Sequence, residues 1–419
     1  MIMLLLLTFY PKPLKNMTYF TFLMLGFLII LLNSFLIYES TGSWLAGSDA
    51  SSLYENMLNF AESRVIIKNM DSRYIGYTVF QYLAAFPFTT NNFISVLLIK
   101  FSNWFIWIYA LNYTLKKIKK HFYIDLSTNI FFMILINSIV LWIGLYNFRD
   151  IIILSLVTIL SVCLLEGKKN WLFIIVLSII LFFFRYFFLI LLCISLLITT
   201  IILKFNKGRS ILKKILLTLI IITFLITFIP NYVYNFLLFL GIDELTSTSI
   251  LKAIDISPIQ YFTNLLTSFF AGNPLKFAYT AIGTGVERAF TVTPLSAFFQ
   301  FFSYLGNYII LVPFYLIIFT INEKKFNLFE YVKKKYNTKI AFNSRNFFAI
   351  NTFIYMNLIF FLYTFFYGGI QERIRITILI LLFLILIIIF YKMKDKFLLK
   401  RIYFISALFL LLYIFISPL

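Results

Sequence analysis

Apolar runs of about 20 residues, the length of helix that crosses a bilayer, follow one another along this chain, separated by short polar and mostly basic breaks. An α-helix rises about 1.5 Å per residue, so such a run matches a hydrocarbon core of ~30 Å. Candidate spans lie at 17–38, 93–115, 126–145, 150–165, 170–184, 186–203, 215–238, 295–321, 347–367, 376–391 and 402–417, eleven in all. The pattern predicts an all-α polytopic membrane protein with about 11 transmembrane helices (10–12), forming a single integral membrane domain over residues 1–419.

Two breaks are long, 39–92 and 239–294. Both are too apolar and aromatic for free linkers and are expected to lie on one membrane face as loops carrying juxtamembrane helices. In the first, Gly47-Ser48-Asp49-Ala50-Ser51-Ser52-Leu53-Tyr54-Glu55 leads into a helical pattern with Leu53, Met57, Phe60 and Ala61 on one side. Asp49 falls at the start of that helix and reads as an N-cap, while Ser52 with Glu55 fits a capping box. A third break, 322–346, is short and basic.

Composition excludes a soluble globular protein: 62% of residues are hydrophobic, 21% aromatic and only 12% charged, about half the charged fraction usual in soluble domains. The 36 Lys+Arg against 16 Asp+Glu would suggest nucleic acid on a soluble surface. Here the basic residues fall between apolar runs, as in cytoplasmic loops, so no nucleic-acid partner is expected. Alternating the spans from a cytoplasmic start puts 25 of the 36 inside, at Lys12 and Lys15, 116–120, Lys168 and Lys169, 204–214, 324–345 and 392–401. This holds if Tyr74 to Phe88 does not cross, so that segment is read as a re-entrant or interface-lying helix. No cleavable signal peptide is expected, because Pro11, Lys12 and Pro13 follow the apolar stretch Met1 to Phe9 where a small-residue cleavage site belongs. Cys163 and Cys193 lie in apolar runs and read as small core hydrophobes.

The eleven basic residues left on the outer side are Arg64, Lys68, Arg73, Lys100, Arg149, Arg185, Lys252, Lys276, Arg288, Arg373 and Arg375. Seven are Arg, against three of the 25 inside, in a chain that otherwise writes Lys for positive charge. Lys serves topology as a hydrated point charge, whereas the Arg fork matches phosphate oxygens. The segregation therefore points to an outer-face phosphate or pyrophosphate site. Arg149 stands where two spans meet, with Asp150 beside it as a neutralising charge, and Arg185 interrupts an apolar run. Arg373 and Arg375 stand at the mouth of a late span beside Glu372, where N-terminal amides add to anion binding. A lone Arg beside lipid is costly unless it faces a cavity or partner, snorkelling to headgroups being the plain alternative. The only histidine, His121, lies in the inner basic cluster, so a base on the outer face must be a carboxylate. No Walker loop, dinucleotide fingerprint, HExxH or GxSxG is present, and no metal or cofactor is expected.

The order of these features resembles the Wzy-type polysaccharide polymerases, particularly their EpsG-like branch. The resemblance rests on Gly47-Ser48-Asp49 followed by Tyr54, and on Ser72-Arg73-Tyr74-Ile75-Gly76-Tyr77 entering an aromatic helix. It continues with Asn147-Phe148-Arg149-Asp150 opening a span, Arg185-Tyr186 and the late Glu372-Arg373-Ile374-Arg375. One departure is Arg185, where many EpsG-like sequences have a His. The resemblance implies a GT-C-like architecture, a bacterial inner-membrane location, and an outer-face enzyme that moves a growing glycan from undecaprenyl pyrophosphate onto an incoming lipid-linked repeat unit. Its implied partners are the undecaprenyl-pyrophosphate-linked oligosaccharide, the lipid bilayer, and a chain-length regulator and flippase of the same pathway. On this reading Arg149, Arg185, Arg373 and Arg375 clamp the pyrophosphate. Asp49 is the first choice of base, with Glu372 and Asp150 behind it, and Tyr54, Arg73, Tyr77 and Arg288 contact substrate. Two alternatives stay open: a GT-C transferase using a polyprenyl-phosphate sugar, and a lipid-linked oligosaccharide flippase without catalysis.

Overall fold

The computed structural model describes residues 17–45, 48–63, 72–124, 130–146, 149–205, 293–320, 344–367, 372–392 and 396–416. Over these residues the protein is helical and contains no strand. In chain order the helices are α1 (Met17–Thr41), α2 (Ser48–Ser63), α3 (Ser72–Ala85), α4 (Asn92–Phe122), α5 (Ile130–Gly144), α6 (Asp150–Cys163), α7 (Trp171–Phe205), α8 (Pro294–Gly306), α9 (Val312–Thr320), α10 (Ser344–Tyr367), α11 (Glu372–Lys392) and α12 (Lys396–Ile416). A 3₁₀ segment, Leu164–Asn170, joins α6 to α7, and a π-helical turn, Asn307–Leu311, joins α8 to α9. The predicted span 215–238, most of the loop 239–294 with Arg288, and most of the loop 322–346 lie outside the described residues, as does the segment before Met17.

Among the described residues, four stretches are long and apolar enough to cross a membrane: Met17–Thr41, Asn92–Phe122, Trp171–Ile202 and Pro294–Ile318. The protein is thus a helical membrane protein, with predicted span positions occupied by helices wherever they are described. Sequence shows why α1 belongs at the periphery. Its buried residues Tyr19, Leu23, Gly26, Ile30, Asn33, Ser34 and Ile37 recur every three or four positions, yet Phe20, Met24, Leu28, Leu32 and Phe35 on the other side are equally apolar and exposed. A helix apolar all round with one open face is suited to lipid on that face. Two helices have no open face: every residue of α6 is buried, as is α11 from Ile374 through Ile389. These form the interior of the bundle.

Helix ends are set locally. Asn91 caps α4 by accepting from the Ile94 amide, and Tyr123 ends it in the left-handed conformation (φ 60°). Thr293 and Ser296 form a capping box around Pro294 at the start of α8. The helix after Gly47 already includes Ser48, so Asp49 lies inside its first turn and Ser52 one turn further in. The expected N-cap and Ser52–Glu55 box are therefore displaced into the helix.

The bundle has two recognisable ends. At one, Glu166 receives Lys117 of α4 and lies 3.6 Å from Lys120, while Phe122 touches Phe348 near the start of α10. Asp150 stands at the other, at the far end of the 14-residue helix α6, about 20 Å long. The two spans expected at 170–184 and 186–203 are two helical arms, numbered together as α7, that meet at Arg185, where the backbone is extended (φ −168°, ψ 89°). Before that break α7 runs from the Glu166 end to Asp150. After it, Phe188 meets Tyr355, and Ser195 and Thr199 meet Asn351, so the second arm is antiparallel to α10 and runs back. Arg185 is thus the turning point of α7.

Candidate functional site

The starts of both interior helices come together at one end of the bundle. Asp150 opens α6 and is only 3% exposed. Its Oδ1 accepts from Arg185 Nη1 at 3.1 Å, and its Oδ2 lies 3.6 Å from Arg373 Nη1 in the first turn of α11. One carboxylate thus ties together the start of α6, the break in α7 and the start of α11. The arm of α7 after Arg185 is itself a helix beginning here, so three helix starts surround this carboxylate, each with amides that favour negative charge.

Arg149 reaches across to α7 and α3. It donates from Nη1 to the Phe184 carbonyl at 3.3 Å, and its guanidinium lies 4.6 Å from the centre of the Tyr74 ring. The carbonyl is presented at the end of the first arm of α7, one residue before the break. Arg185 is nearly buried and also approaches the Phe188 ring at 5.5 Å. Arg375 is buried, with its guanidinium 4.1 Å from the centre of the Tyr304 ring of α8. Two residues apart on a helix, Arg373 and Arg375 point about 200° apart, which separates the pair: Arg373 meets Asp150 and Arg375 stacks on α8.

Helix α3 packs over this end. Gly76 lets it approach α7 so closely that a Cβ there would lie 2.6 Å from the Phe183 carbonyl oxygen. Tyr77 is buried and accepts from Asn103 Nδ2 of α4 at 3.1 Å. Burial holds its phenol above the ordinary range, with Asp150 pushing the same way and Arg149 opposing, so it stays protonated beside the charged cluster. The segment read as re-entrant or interface-lying is a 14-residue helix, Ser72–Ala85, about 21 Å long.

Other expected contacts are placed differently. Tyr54 is buried and braces α2 to α4, donating to Asn92 Oδ1 at 3.3 Å. Asp49, Arg73 and Glu372 lie within helices α2, α3 and α11, but their side chains, like Arg288, are outside the described residues. Lys100, counted with the outer-face cations, is buried in the bundle and donates to Ser34 Oγ at 3.0 Å and the Trp44 carbonyl at 3.4 Å. Cys163 is buried as expected, whereas Cys193 is exposed on α7. Sequence reasoning did not single out Tyr74 as the platform of Arg149, nor Asn103 as the partner of Tyr77. The visible signal for Asn103 was a lone amide in the run from Phe93 to Ala110. Among the described residues, no three His, Cys, Asp or Glu side chains come together as metal ligands would.

Chemically, the described side chains here set three guanidiniums against one buried carboxylate, with flat donors suited to phosphate oxygens. Comparison of the chain with protein-family models, with curated proteins and with solved structures finds no match.

Proposed function

We propose that the Asp150 end binds the pyrophosphate of a polyprenyl-linked glycan, and that the protein is a polysaccharide polymerase of the inner membrane working at its outer face. The observation that carries this reading is the convergence of Arg149, Arg185 and Arg373 on the starts of α6, α7's second arm and α11, around Asp150. No nucleotide sugar is available outside the cell, so a glycosyl donor there must arrive already activated on a lipid. In the reaction, the bond between C1 of the sugar and the pyrophosphate oxygen breaks, and C1 bonds to a hydroxyl of the incoming lipid-linked repeat. The hydroxyl proton passes to a carboxylate base, for which Asp49 is first choice and Glu372 second. The pyrophosphate leaves with its added negative charge held by the guanidiniums, the kind of preorganised stabilisation that dominates such steps.

Asp150 takes a different part. With Arg185 and Arg373 already on its two oxygens, it serves as the internal counter-ion that spaces the clamp, with no lone pair needed for proton transfer. Arg373, the more exposed of its two partners, is the arm that turns to the ligand. Purified protein supplied with an undecaprenyl-pyrophosphate repeat unit should yield a ladder of products on a gel. Arg149→Ala and Asp49→Asn should abolish it. A single added sugar, formed only from a polyprenyl-monophosphate donor, would favour a GT-C transferase. Movement of the lipid-linked oligosaccharide across a vesicle membrane without chemistry would favour a flippase.

A further inference from the structure

The end of the bundle opposite Asp150 carries more positive charge than its own carboxylate balances. Across α4, the 3₁₀ segment and α7 the chain has one carboxylate, Glu166, while the last turns of α4 alone hold Lys116, Lys117, Lys119 and Lys120. Both oxygens of Glu166 are engaged, Oε1 by Lys117 and Oε2 by Asn170. Lys120 reaches only to the occupied Oε1, at 3.6 Å, and its side chain is 70% exposed. Lys116, one turn earlier on the same side of α4, is exposed as well. An apolar face starts at the same place. Asn170 is followed directly by Trp171, and the first arm of α7 leaves with Trp171, Leu172, Ile175, Val176 and Ile179 exposed. These positions share one side of the helix, while Leu177, Leu181 and Phe184 are buried on the other. The cations and the apolar face adjoin: Phe173 of α7 meets Tyr113 of α4 with 6.1 Å between ring centres, and Lys117 lies 5.0 Å from the centre of that same Tyr113 ring.

We propose that the Glu166 end binds an anionic phospholipid, its phosphate held by Lys116 and Lys120 and its acyl chains laid along the exposed face of α7's first arm. The juxtaposition of unbalanced cations with an apolar face running away from them matches an amphiphile with a negative head. The arm is about 21 Å long from Trp171 to the break at Arg185, enough to line the ~15 Å of hydrocarbon in one leaflet, half of a ~30 Å core. Trp171, at the junction of charge and apolar face, is the residue type that sits at headgroup level. On the topology expected from sequence this end is the inner one, so the lipid belongs to the inner leaflet. An ammonium offers donors only, which phosphate oxygens accept, and a flexible Lys suits a headgroup that turns freely. A zwitterionic headgroup brings its own cation next to the lysines and loses most of that attraction. A soluble phosphate ester has the charge but leaves the apolar face of α7 without its chains. The inference is independent of the reading of the Asp150 end, which lies the length of α6 away.

The test titrates the delipidated full chain, in a nonionic detergent, with phosphatidylglycerol, with phosphatidylcholine of the same chains, and with glycerol 3-phosphate, and follows the rise in melting temperature that binding produces. Wild type should respond to phosphatidylglycerol at about a tenfold lower concentration than to phosphatidylcholine, and not to glycerol 3-phosphate. Lys116→Gln and Lys120→Gln should each weaken phosphatidylglycerol binding about fivefold, the usual effect of one lysine at an anionic lipid surface. Both side chains are exposed, so each variant should melt as wild type does without lipid and respond to phosphatidylcholine unchanged. Lys400→Gln, which removes an exposed cation from α12, should leave phosphatidylglycerol binding as it was. Equal response of wild type to the two phospholipids overturns the proposal, as does undiminished phosphatidylglycerol binding in both Lys116→Gln and Lys120→Gln. An equal loss in Lys400→Gln would replace the site with general surface charge, and a wild-type response to glycerol 3-phosphate matching that to phosphatidylglycerol would replace the lipid with a soluble anion; either result overturns it too.

Discussion

A buried carboxylate with a guanidinium on each oxygen is stabilised only while the set is complete, and the Asp150 cluster is therefore unequal in its sensitivity to substitution. Removing one partner of a buried charge pair leaves the other uncompensated, at a typical cost of about 3 kcal/mol or more. Asp150→Ala, which strands the nearly buried Arg185, should lower the melting temperature far more than Arg373→Ala, which leaves Asp150 paired to Arg185. Thermal denaturation in detergent reads both; equal small effects would mean the ion pairs do not organise this end. The chemical class of these residues was legible from sequence, because Arg segregates from Lys along the chain. Their pairing was not, since Asp150 meets partners on α7 and α11 rather than its neighbour Arg149. Adjacency in sequence places Arg149 and Asp150 on different sides of the start of α6, and only tertiary packing decides which charge each one faces.

Among the elements, α3 and the 3₁₀ segment are two in which a single residue bears on an interface. Gly76→Val would drive a side chain into the Phe183 backbone, which cannot rotate away as a side chain would. It should detach α3 from the site and abolish glycan transfer, while the rest of the bundle stays folded by circular dichroism. Retained activity would show that α3 is not needed there. At the opposite end, partial burial acts to raise the pKa of Glu166, but Lys117, Lys120 and His121 outweigh it and hold the carboxyl below its usual range. A depressed carboxylate stabilises above its unfolded pKa and loses that contribution as pH falls. Glu166→Gln should therefore destabilise by about 1 kcal/mol near pH 7, with the difference vanishing as the pH drops below about 4. Melting curves across that range would check it, and a difference that persists in acid would contradict the ion-pair account. Apolar length made most helices legible in advance. Hydropathy also marked Arg185 as the interruption between two arms, where the backbone is extended, but not the direction in which the second arm runs. Nor could it assign Tyr54 or Lys100 to the interior, because an amphipathic side chain reads the same whether it braces helices or faces solvent.

For the molecule as a whole, the buried helix α6 and the buried Ile374–Ile389 stretch of α11 both begin at the charged end, so the site stands at the centre of the bundle rather than on its rim. On the proposed reading, that placement would give a ligand phosphate a partly dry setting, where guanidinium contacts gain strength, with the exposed apolar faces of α1 and α7 left to the bilayer and the polyprenyl chain. The central claim is that this end is a pyrophosphate site, and the most direct measurement is equilibrium binding of undecaprenyl pyrophosphate, with undecaprenol as the uncharged control. One charge-assisted contact is worth about 1.5–3 kcal/mol, so Arg149→Ala and Arg373→Ala should each weaken binding of the pyrophosphate tenfold or more. Neither should alter binding of undecaprenol, and Arg375→Ala, which acts on the Tyr304 side of α11, should have the smaller effect. Wild-type affinity for undecaprenyl pyrophosphate in both Arg149→Ala and Arg373→Ala, or no preference of the wild-type protein for the pyrophosphate over undecaprenol, would contradict the account.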